Sequence, residues 1–220
     1  MKKFALPVAA AALLFASTSL YAGTIFNENF NELTPSPTVT SVGAFTAING
    51  TNVDVVGPGF FPGLVVAPES GNAIDLGGSG GNPFGQLQSG GIALTAGQTY
   101  DLSFDLVGSQ RGLTTSTLVT LGPAGDLTSL YDASFALASN GAAGTDGLVT
   151  FVFTAPTSET VYLGFTDTSD PSTSNIGSLL DNVAITSASP VPEPSSLLML
   201  GSGLVVLAGW SRRKLAARSL

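Results

Sequence analysis

Two carboxylates stand where a β-strand would turn them toward its apolar side. In Thr24-Ile25-Phe26-Asn27-Glu28-Asn29-Phe30, Glu28 is in phase with Phe26 and Phe30; in Leu179-Leu180-Asp181-Asn182-Val183-Ala184-Ile185, Asp181 is in phase with Leu179, Val183 and Ile185. Alternate residues of a strand share a face. A buried carboxylate needs a countercharge or a proton. Between residues 23 and 190 the only cation is Arg111, against fourteen carboxylates, a net charge of −13. A hard divalent ion held by oxygen ligands would meet the need, and calcium is the natural candidate, with Glu28 and Asp181 as its protein ligands and backbone carbonyls completing the shell. Two blander readings compete: both acids lie at frayed strand ends in water, or a bulge slips the strand phase.

Arg111 has two readings of its own. It could fork onto a sugar hydroxyl pair or a carboxylate ligand, or close a loop by pairing with Asp101 or Asp105, and the second is the simpler. Aromatic platforms for a ligand are few. The single Trp is Trp210, close to the C-terminus, which leaves Phe60, Phe61, Phe84 and Tyr131 in or beside loops. Phe60, Phe61 and Phe84, with Arg111, form the candidate ligand-binding set, although loop phenylalanines more often pack over the ends of a sandwich.

What is missing is equally informative. The chain has no His and no Cys, and no Lys between residues 4 and 213. Ser-His-Asp and Cys-His catalysis, a Schiff-base lysine and the usual zinc sites are thereby excluded. Carboxylate-pair glycoside hydrolysis survives, but no spacing singles out a pair, so the chain reads as a non-enzyme. The acidic surplus repels nucleic acid and anionic membrane surfaces.

The elements that must position these residues read as strands. No segment between the ends sustains helical periodicity, whereas period-two alternation recurs between Gly, Pro, Asn and Ser clusters. The clearest case is 98–107, with Tyr100, Leu102, Phe104 and Leu106 on one face and Asp101, Ser103 and Asp105 on the other. Val149, Phe151 and Phe153 alternate before Pro156, and Val161, Leu163 and Phe165 alternate after it; these two strands are expected to form an antiparallel hairpin. Further candidates are 24–31, 45–56, 73–76, 92–94, 117–121, 130–138 and 180–186. Nine or ten short strands favour a two-sheet antiparallel β-sandwich or jelly roll, over residues 23–188 as one domain. The Gly-rich segments 57–63 and 77–85 open no helix, so neither is a phosphate loop.

The two ends have a different character. Lys2-Lys3, an apolar run to Leu20 and the small-residue exit Tyr21-Ala22-Gly23 have the layout of a secretory signal peptide over residues 1–22, with cleavage expected after Ala22. Signal peptidase and the Sec machinery are the partners this implies. Near the C-terminus, Val191-Pro192-Glu193-Pro194 heads a short apolar helix, 195–211, followed by Arg212, Arg213 and Lys214 in a basic tail, 212–220. The helix is at the lower length limit for spanning a bilayer. The basic tail should stay cytoplasmic, so everything before Pro192 would face outward from the inner membrane.

This order of motif, helix and basic tail over 189–220 resembles the PEP-CTERM sorting signal of exported bacterial proteins. The resemblance implies processing by exosortase, a membrane protease-transpeptidase, in a Gram-negative host that secretes exopolysaccharide. The mature protein would then reach the outer surface or extracellular matrix. The stretches 103–112 and 72–79 look like segments common in such proteins. The first strand, with Glu28-Asn29-Phe30, and the last, with Leu179-Leu180-Asp181-Asn182-Val183, resemble the ends of galactose-binding-like and carbohydrate-binding jelly-roll modules. In those modules the two strands commonly meet at a structural calcium. The expected function is a non-enzymatic surface or matrix protein linked to exopolysaccharide and biofilm. The alternatives are a carbohydrate-binding module for a particular glycan and, more remotely, a carboxylate-dependent glycosidase.

Overall fold

The computed structural model describes residues 23–188, apart from 59, 62, 63, 65–70, 81, 83 and 172–174. The expectations for the signal peptide, its cleavage at Ala22 and the sorting tail at 189–220 fall outside the described residues. Among those described, every regular element is a strand, and fourteen strands build two antiparallel sheets.

The first sheet runs in the order β12 (Leu148–Thr154), β9 (Thr99–Val107), β14 (Leu179–Ser187), β6 (Ala73–Asp75), β5 (Val53–Val56) and β2 (Ser36–Val39), and β1 (Gly23–Glu28) also pairs with β14. The second runs β11 (Tyr131–Leu137), β10 (Thr115–Pro123), β13 (Glu159–Asp167), β7 (Gln86–Ser89), β4 (Phe45–Ala47) and β3 (Ser41–Val42), with β8 (Ile92–Leu94) also on β13. The expected two-sheet sandwich is thus the observed fold.

Alternation produces the core. Tyr100, Leu102, Phe104 and Leu106 of β9 are buried while Thr99, Asp101, Ser103 and Asp105 are half-exposed, and β13 does the same with Val161, Leu163 and Phe165. Between the sheets, Phe45, Phe104 and Phe165 pack edge to face, with ring centroids 5.8 Å and 5.2 Å apart. Such pairs contribute beyond the area they bury.

The expected hairpin of β12 with β13 is not formed. β12 pairs with β9 in the first sheet, whereas β13 lies between β10 and the β7/β8 pair in the second. Pro156 offers no N–H to a hairpin ladder, and Ala155 instead donates its N–H to the Gln98 carbonyl (3.0 Å) while accepting from Gly97 (2.8 Å). The chain is therefore tied to the end of the first sheet as it crosses to the second. The candidate 45–56 is likewise two strands in different sheets, β4 and β5, separated by a turn in which Asn49 and Gly50 have φ of 57° and 71°. β2, β3 and β7 have no counterpart among the expected strands.

Candidate functional site

The two acids of the calcium expectation are placed differently from each other. β1 pairs Glu28 with Val183, a core residue, so Glu28 does face the inside of the sandwich. Its carboxylate spans to the second sheet, where Oε2 accepts the Ala44 N–H (2.7 Å), and Oε1 accepts the Phe30 N–H (2.9 Å). Gly43, at φ 57°, makes room for it: a Cβ there would lie 1.8 Å from Oε2. Two backbone donors thus occupy one position on each carboxylate oxygen.

Asp181 is buried, 2% exposed, but on the opposite face. β14 carries one extra residue relative to β9 between Asp181 and Ala184, and Asn182 there has φ 49°. The bulge reverses the phase. Val183 and Ile185 point into the core, while Asp181 stands opposite Asp105 on the outer face. Asn182 secures the bulge by donating its N–H to Asp181 Oδ1 (2.7 Å) and its Nδ2 to Asp105 Oδ2 (2.8 Å). Glu28 and Asp181 therefore do not fit one shared ion. Among the described residues no three acidic side chains converge as metal ligands would.

The outer face that takes Asp181 is where the chain's chemistry gathers. Across β5, β6, β14 and β9, Asp54 pairs with Asp75, Asp75 with Leu179, and Leu179 with Val107. Val56, Ala73, Val107, Leu179 and Leu64 make a second, smaller apolar cluster there, with Phe60 packed against it. Asp54 and Asp75 are each 1% exposed. Asp54 anchors loops: Oδ1 accepts the N–H of Thr38 (2.8 Å) and of Ser79 (2.9 Å), and Oδ2 the Ser79 hydroxyl. Beside it, Asn52 accepts the Gly80 N–H (3.0 Å) and donates to the Asn82 carbonyl (2.9 Å). The Gly-rich segment around Ser79 is thus held by buried amide and carboxylate groups.

Asp75 is the centre of the arrangement. Its Oδ1 accepts N–H groups from Gly77 (2.9 Å) and Gly177 (2.8 Å), two residues whose backbones approach so closely that a Cβ on either would collide with the other. Oδ2 pairs with the Arg111 guanidinium. Burial still pushes the Asp75 carboxyl up from 3.8 to about 6, against the lowering effect of Arg111 and the two glycine N–H groups, with Asp54 adding to the rise. Desolvation outweighs one partly exposed cation.

Arg111 thus pairs with Asp75 and with neither Asp101 nor Asp105. Arg111 follows the C-terminal end of β9, and Asp101 lies six residues back from that end, about 20 Å along the strand. Asp105 is bonded to Asn182 instead. The Arg111 backbone N–H is fixed by the hydroxyl of buried Ser109 (3.0 Å). The side chain, 23% exposed, lies over the Phe61 ring with its guanidinium carbon 5.5 Å from the centroid. Phe61, 42% exposed at φ 49°, meets Phe60 at 4.6 Å edge to face.

Three of the four expected ligand residues, Phe60, Phe61 and Arg111, are therefore neighbours: one ring is packed inward, one faces solvent, and the domain's lone cation is stacked on the exposed ring. Phe84 is half-buried just before β7, and among the described residues no ring or cation contact ties it to this group. Sequence reasoning missed Asp54 and Asp75. The signal was present, since Val53-Asp54-Val55-Val56 and Ala73-Ile74-Asp75-Leu76 each set an acid inside an apolar run, the same reason that drew attention to Asp181.

Asp167 is a further buried acid, on the second sheet. Burial raises its carboxyl above the ordinary value, opposed by Ser169, whose N–H (2.9 Å) and hydroxyl (2.5 Å) it accepts.

A family model described as the PEP-CTERM protein-sorting motif matches residues 190–214. The chain carries a PEP-CTERM sorting motif. No curated protein sequence matches the chain. Among solved structures, the CBM22-1 xylan-binding domain from Paenibacillus barcinonensis Xyn10C is similar over 77% of this chain and 97% of that one, at 13% identity and a TM-score of 0.47. The K1 cleaved adhesin domain of Lys-gingipain from Porphyromonas gingivalis W83 is similar over 74% and 98%, at 17% identity and a TM-score of 0.46. The MgGH51 α-L-arabinofuranosidase is similar over 72% of this chain, which spans 25% of that enzyme, at 13% identity and a TM-score of 0.45. These likenesses assign no ligand to the chain.

Proposed function

We propose that this is an exported, non-enzymatic protein, delivered through its PEP-CTERM tail to exosortase and from there to the outer surface or extracellular matrix of a Gram-negative cell, where it contributes to exopolysaccharide or biofilm organisation. The observation that carries this reading is the sorting motif at 190–214. The non-enzymatic part is supported by how the buried carboxylates are used: Asp54 and Asp75, each 1% exposed, accept backbone N–H groups and anchor loops. The test is the mass of the protein recovered from cells. Cleavage after Ala22 and near Pro192-Glu193-Pro194, lost in Glu193→Ala, is the expected result; an intact C-terminus in the displayed protein would overturn the sorting role.

A second reading, that the sandwich grips a glycan, is favoured by the exposed Phe61 ring with Arg111 stacked on it. A sugar ring laid on the free part of Phe61 would place its hydroxyls within reach of the guanidinium. Glycan-array or pull-down binding by the exported protein, lost in Phe61→Ala and retained in Phe84→Ala, supports the grip. Binding unaffected by Phe61→Ala refutes it.

A further inference from the structure

Open sheet edges are liabilities that proteins blunt with short strands, bulges, prolines or charges. Most edges here carry such devices. β2 contains Pro37 and a register shift next to Thr38 at φ 57°, β3 has two residues, and β11 carries Asp132. β12 carries none. It is seven residues long at the end of the first sheet, and its sequence, Leu148 to Thr154, has no charge, glycine or proline. Its Val152 and Leu148, at 62% and 46%, are the most exposed of the large apolar side chains described.

The hydrogen-bond phase shows which groups face outward. Gly147 gives its carbonyl to Leu106 on β9, while Leu148 exchanges both of its bonds with Thr145 on the other side. Alternation then turns the N–H and C=O of Thr150, Val152 and Thr154 away from β9, toward the edge that no described strand covers. At Ala155 the N–H is again bonded inward, to Gln98, and Pro156 follows. The open ladder is therefore bounded by Leu148 and Pro156.

Within those bounds the sequence is Thr150-Phe151-Val152-Phe153-Thr154, which reads the same in both directions. An antiparallel copy centred on Val152 sets Val152 against Val152, Thr150 against Thr154 and Phe151 against Phe153. The three outward-facing residues then meet as hydrogen-bonded pairs, each exchanging two backbone bonds, and the two phenylalanines meet as close non-hydrogen-bonded pairs. A two-fold contact requires one patch to be complementary to itself, and a palindromic strand satisfies that requirement at every position. Charge favours the same place: in a domain of net charge −13, two copies repel least along an edge that bears no acid.

We propose that β12 is a self-association edge, through which two copies of this chain join their first sheets into one continuous sheet across a two-fold axis at Val152. The surface is a joint between copies, separate from the Phe61–Arg111 end and independent of what that end binds.

The test uses the protein recovered after export, studied by sedimentation velocity across a range of concentrations. Dimer formation with rising concentration is expected. Val152→Asp, which sets two like charges against each other at the axis beside Asp101 of each copy, should hold the protein monomeric, and because the side chain is exposed its melting temperature should match the parent's at concentrations where the parent is monomeric. The chain has no native Cys, so Val152→Cys reports the register directly: oxidation should give a covalent dimer, whereas the exposed Ala93→Cys on β8 should not. A protein that remains monomeric throughout, a dimer that survives Val152→Asp, or equal cross-linking at positions 93 and 152 would each overturn the proposal.

Discussion

Replacing Arg111 with Met, which keeps the length of the stem and removes the charge, should destabilise the fold by an amount that depends on pH. The Asp75 carboxyl titrates near 6 in the folded protein and near 3.8 as an ordinary side chain. The folded state therefore binds this proton more tightly than the unfolded chain does. Its contribution to stability is fully present below about 3.8 and is lost as pH rises through about 6, a difference of about 3 kcal/mol. Without Arg111 the ionised form loses its cation, so the folded-state value rises further. At about pH 8 the variant must bury an uncompensated carboxylate or take up a proton, which costs about 3 kcal/mol, the low end for a broken buried pair because Arg111 is partly exposed. At about pH 5 Asp75 is already largely protonated, and the variant should lose only the cation–π contact with Phe61, about 1 kcal/mol. Urea unfolding followed by circular dichroism at both pH values measures the two losses. Adding Asp75→Asn to Arg111→Met should abolish the pH dependence of the difference. Equal losses at both pH values would show that the Asp75 charge is not what Arg111 compensates.

Other outcomes follow from the same geometry. Gly43→Ala, which forces a side chain into left-handed backbone and against the Glu28 carboxylate, should lower stability by more than about 2 kcal/mol in a thermal melt. Asn182→Ala should cost about 1–2 kcal/mol, because it removes the bond to Asp105 and strains the bulge, whereas Asn182→Gly should cost less. Because Glu28 and Asp181 lie on opposite faces of the first sheet, Glu28→Gln and Asp181→Asn should add within about 0.5 kcal/mol. A chelator should also shift the melting temperature of Glu28→Gln as much as it shifts the parent's; strong coupling or a lost chelator response would restore a shared ion.

Period-two alternation made most of the sandwich legible before any coordinates. β9 and β13 show the pattern over most of their length, broken at the end of β9, where Val107 is buried on the outer face as well as Leu106 on the inner. What alternation cannot carry is which strand lies beside which. Strands flanking Pro156 read as a hairpin because they adjoin in sequence, but the missing proline N–H and the Ala155–Gln98 tie send them to different sheets. Phase fails for a related reason at Asp181. A single extra residue at Asn182 turns an apparently inward acid outward, and in sequence an Asn between apolar neighbours gives no sign of φ 49°. At the site, Phe60, Phe61 and Arg111 were recognisable as types, because loop aromatics and a lone cation stand out in so acidic a chain. Their meeting was not, since residues 61 and 111 are joined only through the lateral order β6, β14, β9, and the carboxylate that positions Arg111 sits on the short strand Ala73–Asp75.

β14 lies near the middle of the first sheet and pairs with β9, β6 and β1, yet it is the last strand among the described residues. A polypeptide threaded through a membrane with its N-terminus leading cannot close that sheet until Leu179–Ser187 has crossed. Until then β1 and β9, separated by some seventy residues, have nothing between them to pair with. In an exported chain the sheet would stay open until the strand just before the motif at 190–214 had crossed. Strand order alone would then put crossing before closure, in a chain with no cysteine to lock the result.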